Sequence, residues 1–155
     1  MWDTVIIKYR GYGVYRFLDE YKKTIYIGMT DNVYRRLFEQ HFTKNGHLNK
    51  RGKNYNEVAK VEYIKLDNPA DTSGFEMYLI DKYKPKWNMS GKRKSLEMLE
   101  YNQQEYYESL EKWQTARVFK EFDEDKIRLN KKQAKLAIAA TYIFFISTVI
   151  YMFTL

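Results

Sequence analysis

The sequence predicts a small α+β domain of three short strands flanked by helices, then a long helix and one apolar C-terminal helix. Three observations predict it. Runs rich in β-branched and aromatic residues recur at 14–18, 24–28 and 58–66, between stretches of helical periodicity. Residues 95–135 hold neither Pro nor Gly and are rich in Glu, Lys, Leu and Gln, which favours helix. Residues 136–155 carry no charge at all.

Each element follows from local chemistry. Segments 14–18 and 24–28 read as strands, and the polar stretch 19–23 between them makes a hairpin the natural connection. Residues 31–42 read as a helix, capped by Thr30 or Asp31, with Val33, Leu37 and Phe38 at helical spacing. Residues 43–56 are rich in Gly, Asn and Lys and read as a loop. Val58, Val61, Tyr63 and Ile64 mark the third strand, which Asn68-Pro69 ends. Ser73 can cap a helix over 74–83, with Met77, Ile80 and Tyr83 on its buried face; Pro85 stops it. The basic stretch 90–94 is a boundary, so residues 1–94 form one domain, 95–135 a helical stalk or linker, and 136–155 a separate apolar segment.

At 155 residues the chain supplies one domain of ordinary size. An aromatic content of 17% excludes disorder over its whole length. The absence of cysteine excludes a disulfide scaffold, a Cys-ligated zinc site and a thiol nucleophile, and two histidines argue against a multi-His metal site. The opening ten residues, with Asp3, Lys8 and Arg10, do not read as a secretory leader. The formal charge is +7, and the excess of Lys and Arg lies within residues 1–95. That is expected of a zone that meets a polyanion, and equally of a merely soluble basic surface.

The mean hydropathy of −0.67 conceals the apolar block at 136–155. As a helix its twenty residues would be roughly 30 Å long, the thickness of a bilayer's hydrocarbon core. It reads as a single-pass transmembrane tail anchor. Lys131, Lys132 and Lys135 at its N-terminal end would keep the N-terminal domain cytoplasmic. In the preceding helix Leu96, Leu99, Tyr106, Leu110 and Trp113 fall three, four or seven apart, while Gln103 and Arg117 interrupt the pattern. Residues 96–113 are therefore a candidate for self-association as a coiled coil, against packing on the N-terminal domain or standing free.

The chemistry-bearing residues lie in the first zone. Gly13-Val14-Tyr15 sits on the first strand and Tyr26-Ile27-Gly28 on the second. Arg35, Arg36 and His41 follow on the first helix, Glu76 on the second, and Asn88 just beyond it. Singly, each has a bland reading: a packing tyrosine, a solvated arginine pair, a lone histidine, one more surface carboxylate. Together and in this order they resemble the GIY-YIG nuclease family, over residues 11–90.

The resemblance implies a three-stranded antiparallel sheet flanked by helices, and cleavage of DNA phosphodiesters with one divalent cation. It implies that Glu76 binds the metal and that Tyr15 activates the attacking water or acts through it. Tyr26 would order water and phosphate, Arg36 would stabilise charge on the scissile phosphate, and His41 would assist proton transfer or position a phosphate. Asn88 would support the site, and Gly28 would allow close approach after the strand. These residue types suit the task. A hard cation on one carboxylate, completed by water, fits Mg²⁺ or Mn²⁺. Arginine offers a planar fork matched to phosphate oxygens. The group that takes the proton from water stays open between Tyr15 and His41.

One departure stands out. In the family the arginine usually precedes the histidine by four, whereas here Arg36 precedes His41 by five and Gln40 holds the four-residue position. On a straight α-helix five residues turn about 500°, leaving the two roughly 140° apart. Either His41 reaches the site through a local irregularity or Gln40 replaces it. Arg35 is an alternative to Arg36 as the site arginine, with Arg36 the better fit to the spacing from Gly28.

Two basic clusters are candidates for DNA-backbone contact: Lys44, His47, Lys50, Arg51 and Lys53 in the loop, together with Arg35, and Lys82, Lys84, Lys86, Lys92, Arg93 and Lys94 around the end of the site. Such contacts give salt-sensitive, sequence-poor binding. The expected function is a membrane-tethered, divalent-metal-dependent DNA endonuclease of low intrinsic sequence specificity. The alternative is a catalytically inactive, membrane-anchored module that binds DNA or recruits a partner.

Overall fold

The hairpin forms and seeds the sheet. In the computed structural model, which describes residues 8–43, 45–46, 48–88, 101–122 and 124–154, β1 (Gly13–Leu18) runs antiparallel to β2 (Thr24–Thr30). Asp19 builds the turn. Its Oδ1 accepts the N–H groups of Tyr21 and Lys23 at 3.0 and 2.9 Å, and Lys22 takes a left-handed conformation with φ 61°. β3 (Lys60–Lys65) pairs antiparallel with the other edge of β1.

The sheet does not stop at three strands. β4 (Gln114–Val118) pairs antiparallel with β3, giving the order β2-β1-β3-β4 and correcting the three-stranded expectation. It also corrects the uninterrupted helical stalk over 95–135. Within that stretch α2 (Tyr101–Leu110) ends and the chain turns back as a strand, with Ala116 fully buried. The chain divides into two compact units, Met1–Glu121 and Phe122–Leu155, so the first unit runs well past residue 94.

Side chains alternate across the sheet. One face carries Tyr15, Phe17, Val61 and Tyr63 under Leu37 and Leu48. The other carries Val14, Ile27 and Ile64 against α1 (Pro69–Tyr83), through Phe75, Tyr78 and Leu79, and against Tyr107 of α2. α1 begins earlier than expected. Asn68, not Ser73, is its cap, accepting the Ala70 N–H at 3.0 Å, and Pro69 occupies the first turn, where a missing N–H costs nothing. Its buried face is set by Thr72, Phe75, Tyr78 and Leu79; Met77, expected inside, is exposed.

α2 closes on α1 because Gly74 leaves room. A Cβ there would lie 2.2 Å from the Tyr107 hydroxyl. Tyr107 is buried and Tyr106 exposed, so the apolar face of this helix is used within the chain. The expected self-association seam is unsupported, and Leu96 and Leu99 lie outside the described residues. The connection into β4 is held by charge. Arg16 meets the Glu62 carboxylate at 2.7 Å and stacks over Trp113 at 4.1 Å from the ring centroid. Glu111 binds Lys82, Tyr83 and Trp113.

The second unit is one helix, α3 (Glu124–Thr154). Leu136, Ile138, Ile143, Phe144, Phe145 and Ile146 are exposed along it. Among the described residues no helix is long and apolar enough to cross a membrane, so the transmembrane span expected over 136–155 is not supported; side chains beyond Thr148 lie outside the described set.

Candidate active site

Strand register creates the first contact. Tyr15 lies opposite Gly28 across the β1–β2 ladder. A Cβ on Gly28 would stand 2.5 Å from the Tyr15 hydroxyl and 2.6 Å from its Cζ, so the ring crosses the neighbouring strand where only glycine fits. Tyr26 packs its ring 6.0 Å from that of Tyr15, and the two hydroxyls share a hydrogen bond. Burial pushes the Tyr15 phenol well above its usual range. Tyr26 is raised less: burial lifts it, and the hydrogen bond from Tyr15 pulls it back.

The helix after β2 is not an α-helix throughout. Arg35–His41 is a π-helix, bonded i to i+5, which brings residues five apart onto one side. Asn32 Oδ1 accepts the Arg35 N–H at 2.9 Å, and Thr30 Oγ1 accepts the Asn32 N–H at 3.0 Å, so neither Asp31 nor Thr30 caps the helix as expected. This irregularity decides between His41 and Gln40. His41 is fully buried with Nε2 2.6 Å from the Tyr15 hydroxyl, while Gln40 is exposed. Phe17 and Phe42 wall the imidazole at 5.1 and 6.4 Å.

Arg36, rather than Arg35, joins the cluster. Its positive charge lowers the pKa values of Tyr15, Tyr26 and Glu76 together, which places all four around one point. Its Nε is buried with no hydrogen-bond partner among the described residues. Arg35 is exposed and held by Asp31 through Nη2 at 2.8 and 2.9 Å. Glu76 reaches the end of β2 from α1, and its Oε1 accepts the Met29 N–H at 3.0 Å. Burial raises its carboxyl pKa, opposed by that N–H and by Arg36.

Asn88 clamps the free edge of β2. It accepts the Ile27 N–H at 2.8 Å and donates to the Ile27 carbonyl at 2.7 Å, as a neighbouring strand would. Of the expected backbone-contact residues, Arg51 is exposed and its charge lowers Tyr26, so it borders the site. Lys53 is half-buried, and Lys86 pairs with Glu57. Lys44, His47, Lys92, Arg93, Lys94 and the side chain of Lys50 lie outside the described residues.

Sequence reasoning missed Tyr55. Its hydroxyl lies 2.9 Å from His41 Nδ1, and burial raises its pKa to about 12. The available signal was an aromatic residue standing in a loop rich in Gly, Asn and Lys. Among the described residues no group of three or more His, Cys, Asp or Glu gathers as a metal cluster; Glu76 is the carboxylate whose charge acts on both site tyrosines, beside Arg36. Such a set suits an anion and one hard, largely hydrated cation.

The family model described as the GIY-YIG catalytic domain matches residues 11–90. UvrABC system protein C of Bacteroides fragilis is 31% identical over 77 residues, and that of Malacoplasma penetrans 36% identical over the same length. Each match covers 50% of this chain but only 12% and 13% of those proteins, so the chain spans about an eighth of their length. Among solved structures, the GIY-YIG N-terminal endonuclease domain of UvrC from Thermotoga maritima, bound to magnesium, is 27% identical. That match covers 56% of this chain and 92% of that one, with a TM-score of 0.46. With more than half of its residues matched by the family model, and both motif tyrosines, Arg36, His41 and Glu76 gathered at one site, this chain belongs to the GIY-YIG catalytic domain family.

Proposed function

We propose that the protein is a divalent-metal-dependent DNA endonuclease that hydrolyses phosphodiester bonds with low intrinsic sequence specificity. The observation that carries this reading is the buried Nε of Arg36, without a hydrogen-bond partner among the described residues, beside Glu76 and the Tyr15–Tyr26 pair. An orphaned cationic donor of this kind suits a phosphate oxygen as its partner. The UvrC relatives, one of them solved with magnesium, support the same reading.

Glu76 would hold the metal, Mg²⁺ or Mn²⁺, which when bound supplies Lewis-acid neutralisation of the phosphate. In hydrolysis the water oxygen forms the new bond to phosphorus and the bond to the leaving oxygen breaks. Arg36 balances the charge that builds on the phosphoryl oxygens. The water proton would pass to the tyrosine pair in its singly ionised form, as a phenolate, and the leaving oxygen would take a proton from solvent. Tyr26 is the half-buried member and Tyr15 the enclosed one, so Tyr26 stands nearer the substrate. His41, fully enclosed, acts through Tyr15 as a positioning residue. Arg51 and the basic segments around the site would follow the DNA backbone.

The alternative, an inactive DNA-binding or recruiting module, drew support from the five-residue Arg36–His41 spacing. The π-helix removes that support. The test is plasmid cleavage by the full chain with and without Mg²⁺ or Mn²⁺. Metal-dependent nicking or linearisation is expected; DNA retention at low salt without any cutting would favour the inactive module. Gly28→Ala should keep DNA affinity but displace the Tyr15 ring, lowering kcat by about 10- to 100-fold, because small misplacements are costly at reacting centres.

A membrane tether through residues 136–155 is a further part of this proposal. Its supports are the uncharged sequence, the flanking Lys131, Lys132 and Lys135, and the exposed apolar side chains along α3. The N-terminal domain would then lie on the cytoplasmic side. Ending the chain at Lys135 should move the protein from the membrane pellet to the supernatant and leave cleavage intact. A full chain already in the supernatant would end the tether reading and leave the nuclease reading untouched.

A further inference from the structure

The rings that enclose His41 are continued by one from the far end of the sheet. The match to the family model ends at residue 90, whereas β4 begins at Gln114. Strand register nevertheless carries β4 onto the site face. Tyr26, Phe17, Val61 and Arg117 are successive partners across the four strands, so Arg117 stands in the same row as a site tyrosine. Just past the strand, the Phe119 N–H donates to the Ala59 carbonyl at 2.7 Å, which fixes where its side chain falls.

Phe119 meets Phe42, with ring centroids 4.7 Å apart. Among the described residues that is the shortest ring contact of Phe42; Tyr55 follows at 4.9 Å and Phe17 at 5.3 Å. Phe42 is the residue after His41 and caps the π-helix, so its seat fixes the point at which His41 leaves the helix. Its ring also borders the imidazole, at 6.4 Å. Arg117 stacks its guanidinium over the pair, 4.5 Å from the Phe119 centroid and 6.0 Å from that of Phe42. The same segment reaches a second support of the histidine. Lys120 Nζ donates to the carbonyl of Asn56, one residue after Tyr55, whose hydroxyl lies 2.9 Å from His41 Nδ1. Phe42 and the Tyr55 turn, on which His41 leans, are thus both braced by residues 117–120.

We propose that the end of β4 belongs to the nuclease centre, with Phe119 a positioning residue that seats Phe42 and through it keeps the His41 imidazole against the Tyr15 hydroxyl, 2.6 Å away. Packed aromatic rings suit the task, because they meet in preferred orientations and resist sliding past one another. Without the Phe119 ring, Phe42 gains room to turn away, and the helix end that carries His41 loosens with it. A displacement of about 1 Å at a reacting centre is enough to cost rate.

The kinetic arm rests on the nuclease reading; the spectroscopic arm does not. In the full chain, without DNA or metal, nuclear Overhauser contacts should join the Phe119 and Phe42 rings. The chain has two histidines, so His47→Asn assigns the His41 imidazole signals. Phe119→Leu, which keeps apolar bulk and removes the ring, should shift or broaden those signals, and Phe119→Tyr should leave them in place. The Leu variant should also lower kcat for plasmid cleavage about 10-fold with KM and the DNA Kd unchanged, while the Tyr variant matches the parent. Leu110→Ala controls for lost stability. It loosens the core on the opposite face of the sheet and, well below its melting temperature, should move neither readout. Unmoved His41 signals in a folded Phe119→Leu would overturn the proposal, and so would an equal fall in kcat for Leu110→Ala. Missing contacts between the Phe119 and Phe42 rings in the parent would overturn it even if Phe119→Leu failed to fold. Absence of cutting by the parent chain would count against the nuclease reading alone, since the imidazole is read without DNA.

Discussion

Glu76→Gln is expected to abolish metal-dependent cleavage, by about 10²- to 10³-fold or more in kcat, while making the metal-free fold more stable at neutral pH. The first effect follows from removing the carboxylate that faces Tyr15, Tyr26 and Arg36. The second follows from linkage. Burial raises the Glu76 carboxyl above its ordinary 4.5 despite the Met29 N–H and Arg36. A carboxyl with a raised folded pKa favours the native state when protonated, and that contribution is lost as pH climbs through the folded value. Glutamine keeps the acceptor for Met29 without the charge. Thermal melts in chelator should therefore show the variant above the parent at pH 7, with the gap closing below about pH 4. Equal melting curves at pH 7 would mean that the site does not disfavour the Glu76 charge.

Cutting the chain at residue 94, where composition places the domain boundary, is expected to destroy cooperative folding, whereas ending it at Glu121 should preserve it. The shorter piece loses β4 and α2. Ala116 and Tyr107 leave the two halves of the core, and Phe75 and Tyr78 lose the ring that covers them. Removing one buried aromatic side chain typically costs 3–5 kcal/mol. Here the unpaired edge of β3 and the lost Arg16–Trp113 and Lys82–Glu111 contacts add to it. Against a usual total of 5–15 kcal/mol, little remains. Far-UV circular dichroism melts decide it. A sigmoidal transition for residues 1–94 close to that of 1–121 would show the added strand to be dispensable.

What the sequence made legible was local. The β-branched and aromatic runs announced β1, β2 and β3, and the Asp19 turn needed only its polar neighbours. The order of Tyr15, Tyr26, Arg36 and Glu76 was enough to bring them to one site. β4 escaped because its partner, β3, lies some fifty residues away, and nothing within 112–119 separates an edge strand from the helical composition around it. The start of α1 was concealed by reading Asn68-Pro69 as a stop, although the same pair also opens a helix. Tyr55 was invisible because its value depends on which imidazole nitrogen it meets. The helix holding Arg36 and His41 looked regular because a π-turn has no residue signature of its own; it is one extra residue accommodated in the ladder.

That extra residue has a consequence for recognising proteins of this kind. A gapless comparison across 36–41 aligns Gln40, an exposed residue, with the histidine expected four places after the arginine, and scores the site as broken. Admitting a one-residue insertion inside the helix restores His41 beside Tyr15. Genome surveys that sort such chains into intact and defective by a fixed Arg-to-His interval would discard this one for an offset that its backbone has already absorbed.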